Sequence, residues 1–377
     1  MDLQIKEVTT LKELKTFVRY PLSLYRNHPY YVPTLIFDDM NTLRRDVNPA
    51  FDHCEARYWL AYRDGKVVGR IAGILNRLHL EKWGQRYLRF GWVDFIDDPA
   101  VSGALFRKVE DWALELGMGA VHGPLGFTDM DREGMLVEGF DEMGTLATIY
   151  NYPYYPQHLE RMGYGKDVDW MEFEVKTPDK PVEKIHKMAE IVKKRYNLRI
   201  VEIHSKRQLV ERYAPALFDL LESAYSPLYG TVPLTPKQVE AYTKQYFDFL
   251  STDFVPVMVD ENDRMVAFGI AMPSLSRALQ RSKGSLFPFG ILHFLYALRW
   301  HDRADLYLIA VQPEYQGKGV NAVLMDYMIE VFRRHGIHTV ESNPELESNV
   351  PVQGQWKYFE HRQHKRRRVY LKHLSEG

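Results

Sequence analysis

A chain of 377 residues, 45% hydrophobic and carrying 24 Tyr, 19 Phe and 7 Trp, is long enough for two domains and too apolar for wholesale disorder. Its 49 Lys and Arg against 50 Asp and Glu give a formal net charge of -1, which excludes a global electrostatic case for nucleic acid or an anionic membrane as partner. The single cysteine, Cys54, excludes an intrachain disulfide, and no Cys pair or H-E-x-x-H calls for zinc, so no metal is expected. The opening residues lack an apolar core of signal-peptide length, and a cytoplasmic location is expected.

The elements read twice along the chain. Leu3 to Val8 alternates like a strand, and Thr10-Leu11-Lys12-Glu13 is a capping box ahead of a helix with Leu11, Leu14 and Phe17 on one side. Tyr58 to Tyr62 and Lys66 to Leu75 flank Asp64-Gly65 as a hairpin. Phe90 to Ile96, a helix from Pro99 to Leu116 stopped by Gly117, and Ala120 to His122 form a strand–helix–strand unit. The same grammar returns in the second half. Leu198 to Ile203 is a strand, Ser205-Lys206-Arg207-Gln208 a capping box, and Phe254 to Val259 with Arg264 to Met272 a hairpin. Leu306 to Val311, the helix Asn321 to His335 stopped by Gly336, and His338 to Glu341 repeat the third unit.

A final helix and strand are expected to close each half: Pro156 to Met162 with Trp170 to Val175, and Val352 to Glu360 with Arg367 to Lys372. The polar, proline-bearing Thr177 to Pro181 marks the boundary. The predicted domains are 1–178 and 198–377, joined by a charged connecting helix within 179–197.

Between the apolar strand Leu306–Val311 and the next helix lies Gln312-Pro313-Glu314-Tyr315-Gln316-Gly317-Lys318-Gly319-Val320-Asn321. Gly317 and Gly319 let backbone N–H groups converge, and the helix that follows adds its positive end, so the segment suits a pyrophosphate. Gly317-Lys318-Gly319-Val320-Asn321-Ala322 also fits G-x-G-x-x-A, with Glu341 about 20 residues on, where a dinucleotide site would have its ribose-binding acid. Against that stand the five residues between strand and glycines and the antiparallel hairpin upstream.

The segment resembles the pyrophosphate loop of the GCN5-related N-acetyltransferases, whose pattern is Gln or Arg, two residues, Gly, one residue, then Gly or Ala. Gln316 and Gly319 fit, while Asn321 replaces the family's final small residue. The order of elements in each half is similar too. The resemblance implies an α/β chain of tandem acyl-CoA N-acyltransferase (GNAT-like) domains, each a mixed, mostly antiparallel twisted sheet flanked by helices. It implies acetyl-CoA or another acyl-CoA held by Ile309, Ala310, Val311, Gln316, Gly317, Lys318, Gly319, Val320 and Asn321. It also implies direct attack by a small-molecule or peptide amine in a ternary complex, with Tyr358 protonating the leaving thiolate. A non-catalytic acyl-CoA-binding scaffold and an NAD(P)-dependent oxidoreductase are the alternatives. The first half has no such loop: Asp97 and Asp98 at its helix start would repel a pyrophosphate. Its glycine-rich stretch Gly117 to Gly144 shapes either a substrate cleft or an ordinary loop.

Glu341, ending the predicted fifth strand of the second half, is the expected general base, with a solvated strand-end carboxylate as the plain alternative. The basic run His361 to Arg368 reads as a solvated end of the chain, with the 3′-phosphate of coenzyme A or an acidic partner as alternatives. Leu286 to Trp300 is interrupted by Pro288, Gly290, His293 and Arg299 and is too short to span a bilayer, so no membrane span is expected. It reads as a core or interface helix, or as an apolar pocket wall. No nucleic-acid partner is expected; homodimer formation, acceptor and acyl length stay open.

Overall fold

A computed structural model describes residues 2–374. Its strands, in chain order, are β1 (Leu3–Glu7), β2 (Cys54–Arg63), β3 (Lys66–Asn76), β4 (Tyr87–Phe95), β5 (Ala120–Gly123), β6 (Met135–Glu138), β7 (Gly165–Lys176), β8 (Arg199–Ile200), β9 (Val257–Val259), β10 (Met265–Pro273), β11 (Arg303–Val311), β12 (Thr339–Ser342), β13 (Glu345–Leu346) and β14 (His361–His373). Local chemistry sets most of them. Asp64 and Gly65 both take positive φ (49° and 75°), as a two-residue hairpin turn requires, and join β2 to β3. Thr10 and Glu13 form the reciprocal capping box of the helix Leu11–Leu24. Ser205 accepts from Gln208 N, but the Gln208 side chain takes the amide of His204 rather than of Ser205, so the second cap is only half a box.

The chain is α/β, and its strands form a single 14-stranded mixed sheet flanked by helices. The order is β1-β2-β3-β4-β5-β14-β7-β12-β11-β10-β9-β8, with β13 added to β7 and β6 to β14. All neighbours run antiparallel except β4·β5 and β11·β12. The order departs from the expectation that each half closes on its own last strand. β14, the end of the second half, lies antiparallel against β5 of the first; β7, the end of the first, lies against β12 of the second. The closing strands are exchanged and pair with each other at the centre. Their charges explain the choice. Acidic Asp169, Glu172 and Glu174 on β7 meet Arg362, Lys365, Arg366, Arg367 and Arg368 on β14. The basic run is therefore a central strand, and the expected solvated terminus is corrected: Lys365 and Arg367 are buried.

The helix Glu183–Tyr196 packs along the helix Val320–Arg334, with Ile185 against Ala322 and Ile329, and Ala189 and Val192 near Val320 and Val323. It forms the back wall of the glycine loop.

The two parallel pairs part in opposite ways. In the first half, β4 and β5 pair only over Tyr87–Arg89, and the space beyond is filled by the chain itself: Leu125 N donates to Phe90 O (2.8 Å), and a Cβ on Gly91 would lie 2.5 Å from Leu125 O. In the second half, β11 and β12 pair from Arg303 to Leu306, and among the described residues no strand pairs with β11 on that edge beyond.

Candidate active site

The open wedge between β11 and β12 leads into a cavity of 1110 Å³ lined by both halves. A bulge at Tyr307, between the pairs Ile270–Leu308 and Ala271–Leu306, bends β11 where the wedge opens. Three side chains occupy carbonyls along the freed edge. Asn343 Nδ2 donates to Tyr307 O (3.0 Å), the Tyr225 hydroxyl to Ile309 O (2.8 Å), and Gln316 Nε2 to Val311 O (3.1 Å). A residue of an extended strand directs N–H and C=O to the same side, so the amides of Ile309 and Val311 also face the wedge. Ile309, Ala310 and Val311 all line the cavity.

The glycine loop closes one end. Pro313–Tyr315 make a short 3-10 turn, Gly317 and Gly319 take φ of 71° and 80°, and Gly319 caps the helix Val320–Arg334. Only glycine adopts these angles without strain. Lys318 N bonds Tyr315 O and Ala322 N bonds Gly319 O, but among the described residues the amides of Gly317, Gly319, Val320 and Asn321 have no protein acceptor. Four free donors at a helix N-terminus suit a pyrophosphate. Gly317 has open space where a Cβ would stand, whereas a Cβ on Gly319 would lie 3.2 Å from Val192. The ammonium of Lys318 sits over the rings of Tyr196 and Tyr315. The dinucleotide alternative lacks its frame, because β11 is flanked by antiparallel β10 and followed by the 3-10 turn.

Glu341, the expected base, does not line the cavity. On β12 the flanking Val340 and Ser342 do, so strand alternation turns Glu341 to the opposite face. There it is bound by Lys365 and lies 3.4 Å from His364 Nε2. Burial alone would raise its pKa, but the Lys365 charge and the His364 contact hold it below the usual carboxylate range. Glu172, Glu341 and His364 bring ligand atoms within 4.8 Å of one another, yet Lys365 and Arg367 already balance the two carboxylates. Tyr358 does line the cavity, in the 3-10 turn Gly354–Tyr358 that replaces the expected closing helix through Glu360.

The carboxylate that faces the cavity is Glu345, on β13 beyond Pro344. Trp356 Nε1 donates to its Oε1 (3.0 Å), and its Oε2 has no partner. Burial pushes its pKa up to about 7, against the Trp356 bond and the nearby Ser342 hydroxyl, which favour the charged form. The loop after β5 adds two more. After filling its own half's wedge it carries Asp129 and Glu133 into the cavity, each with one carboxylate oxygen unpartnered. Burial raises both pKa values, Glu133 far above its usual range. Asp131 between them is structural, accepting from Phe127 N (2.7 Å) and Thr128 N (3.2 Å). Sequence reasoning missed Glu345, Asp129 and Glu133; the glycine-rich composition of the loop was the only hint of the latter two. Tyr225 stands between, and burial lifts its hydroxyl to about 12, with the charges of Asp129 and Glu345 adding to the rise.

The acetyltransferase (GNAT) family profile matches residues 214–359, which include the wedge and the glycine loop. A bacterial ceramide synthase from Caulobacter vibrioides (strain NA1000 / CB15N) is 30% identical over 343 residues, covering 88% of this chain and 86% of that protein. Protein YghO of Escherichia coli (strain K12) is 29% identical over 369 residues, 96% of this chain and 93% of the other. Among solved structures, a tandem GNAT protein from the clavulanic acid biosynthesis pathway superposes with a TM-score of 0.56 at 12% identity, covering 100% of both chains. A GCN5-related N-acetyltransferase from Sphaerobacter thermophilus gives 0.53 at 10% identity, covering 100% of this chain and 96% of that one. At such identities the structural likeness is one of fold. The family match and the full-length relatives carry the assignment: this chain belongs to the GCN5-related N-acetyltransferase (GNAT) family of acyltransferases, in its tandem two-domain form.

Proposed function

We propose that the protein is an acyl-CoA-dependent N-acyltransferase acting on a long-chain amine, with the donor held by the second half and the acceptor wall shared by both. The observation that carries this reading is the unpaired edge of β11 running into four free loop amides beside one large cavity. The amides of Gly317, Gly319, Val320 and Asn321 would hold the pyrophosphate of the coenzyme, and the Ile309–Val311 edge its pantetheine arm. Gln316 keeps the loop on the strand end. The coenzyme supplies an acyl group activated as a thioester.

The chain's own residues handle the protons. An amine attacks only when neutral, so a base must take a proton from the ammonium form. Glu345, which lines the cavity and has a pKa near neutrality, suits that task. Asp129 and Glu133 would receive the acceptor's polar head from the opposite wall. Tyr358 is the proposed proton donor to the leaving sulfur. An acceptor with a long apolar chain fits a lining that includes Leu228, Ile270, Leu306, Leu308, Met328 and Phe332. One relative is named a ceramide synthase, and a ceramide is the amide of a long-chain amine.

Thermal unfolding with acetyl-CoA, longer acyl-CoAs, NAD and NADP in parallel tests the donor, since a ligand specific to the folded state raises the melting temperature. A rise with an acyl-CoA is expected. Turnover of that donor with long-chain amines, measured as free thiol released, tests the reaction. A rise without turnover on any amine would favour a non-catalytic acyl-CoA-binding protein.

A further inference from the structure

The segment expected to be a core or interface helix is largely bare. In the helix Gly290–Arg299, Phe294 is buried among Leu275, Leu279 and Met272, but Leu292, Leu295 and Tyr296 are exposed by 60%, 55% and 56%. Phe287, Phe289 and Trp300, just outside the helix, are exposed by 78%, 72% and 62%. These six side chains make up half of the large hydrophobic residues exposed among those described, packed into fourteen positions of sequence, so they form a patch rather than scatter.

The segment that carries the patch has charge of one sign. From Arg264 to His301 the sequence contains no Asp or Glu. Arg277, Arg281, Lys283 and Arg299 are exposed, and none forms an ion pair among the described residues. The near-zero net charge of the whole chain hides this local cationic surface. A short helix with bare Leu and Tyr, bracketed by bare Phe and Trp and by unpaired basic residues, has the composition of a segment that lies in the plane of a lipid interface. The aromatic rings fit the headgroup level, and the long basic side chains reach lipid phosphates.

We infer that this face, Phe287 to Trp300 with Arg277, Arg281, Lys283 and Arg299, docks the protein on the surface of an anionic phospholipid bilayer without spanning it. No helix among the described residues is long and apolar enough to cross a membrane. A second copy of the chain is the competing occupant, and charge argues against it. A twofold interface applies the same patch to itself, which would bring the unpaired cations of one copy against those of the other. The inference stands apart from the reaction assigned above, although the two meet at Tyr307. That residue packs into the core beneath the helix and also lines the cavity.

The test is co-sedimentation of the full chain with phosphatidylcholine vesicles made with and without phosphatidylglycerol. Binding to the anionic vesicles is expected. It should weaken with added salt and fall at least about fivefold when phosphatidylglycerol is left out. The double substitution Leu292→Glu with Leu295→Glu should weaken it at least about tenfold, since burying a leucine is worth at least that in partitioning. Both sites are exposed, and an unchanged melting temperature will show that the variant folds. Arg281→Glu with Lys283→Glu should reduce binding to anionic vesicles alone. Absence of binding to anionic vesicles, or equal binding by the Leu292/Leu295 variant, overturns the proposal. So does light scattering that shows a dimer which the same variant converts to a monomer.

Discussion

Arg367 of β14 and Glu172 of β7 form an ion pair at the middle of the 14-stranded sheet, with side-chain exposures of 1% and 0%. Lys365, equally buried, shares Glu172 at 3.4 Å and reaches Glu341. These contacts join the last strand of each half to the other, so the cost of breaking them falls on the strand exchange. Arg367→Met leaves Glu172 with a weakened partner in a buried site and should destabilise the chain by about 3–5 kcal/mol. Combining it with Glu172→Gln should recover part of that loss, because the stranded charge is then gone. Urea unfolding of the two single variants and the double variant reads the coupling. Additive losses would mean that the pair does not hold the strands together.

Glu345 ties the reaction to pH. Its carboxyl must be ionised to take a proton, and its pKa lies at about 7. Under acyl-CoA saturation, kcat/KM for the amine should rise with pH and bend near 7. Glu345→Gln should remove that limb and lower turnover by about 10²–10⁴. The same shift has an opposite sign for stability. A folded pKa above the ordinary 4.5 means that the stability tied to the neutral form is complete below 4.5 and is lost as pH rises through about 7. Glu345→Gln should therefore gain melting temperature over the unsubstituted protein at pH 8 and not at pH 4. Glu341→Gln should leave the kinetic limb in place, since that side chain faces Lys365 rather than the cavity.

That contrast shows what the residues disclosed and what they did not. Capping at Thr10, the Asp64-Gly65 turn and the glycine loop are decided within a few residues, and each was legible. Which face Glu341 occupies is a matter of parity in a four-residue strand, where a shift of one position inverts every side chain. Val340-Glu341-Ser342 has too little alternation to settle it. Glu345 sits on a two-residue strand with no pattern of its own. The exchange of β7 and β14 depends on pairing across the whole chain, although the acids of one strand and the bases of the other were both in view. Reading His361 to Arg368 as solvent-facing assumed that charge seeks water, whereas here it met opposite charge.

The two loop glycines should differ in what they tolerate. Both hold positive φ, so alanine at either costs roughly 1–2 kcal/mol of backbone strain. At Gly317 the added methyl meets nothing, while at Gly319 it crowds Val192 on the connecting helix. Gly319→Ala should therefore weaken acyl-CoA binding more than Gly317→Ala, with losses of at least about tenfold for the former by titration calorimetry. Gly319→Ala with Val192→Ala should restore part of the affinity. Equal losses with no rescue would place the donor elsewhere in the cavity.

Asp129 and Glu133 separate acceptor from donor. They come from the first half, on the loop that fills its own wedge; both line the shared cavity, and each has one buried carboxylate oxygen without a partner. Their raised pKa values mean that, without a ligand, burial favours the neutral acid. An ammonium or polar head arriving between them would favour the charged form, so acceptor binding should release a proton into solution or shift it onto the buffer. Asp129→Asn and Glu133→Gln should raise KM for the amine by about 10–100-fold, the worth of a lost charge-assisted hydrogen bond. KM for acyl-CoA should stay within about twofold, because the loop amides and β11 edge are untouched. Calorimetry in buffers of different ionisation enthalpy should show the proton release in the unsubstituted protein and its loss in the variants. If both KM values rise together, the carboxylates shape the fold of the cavity rather than receive the acceptor, and Asp131→Asn, which unties the loop itself, is the control that should produce that joint rise.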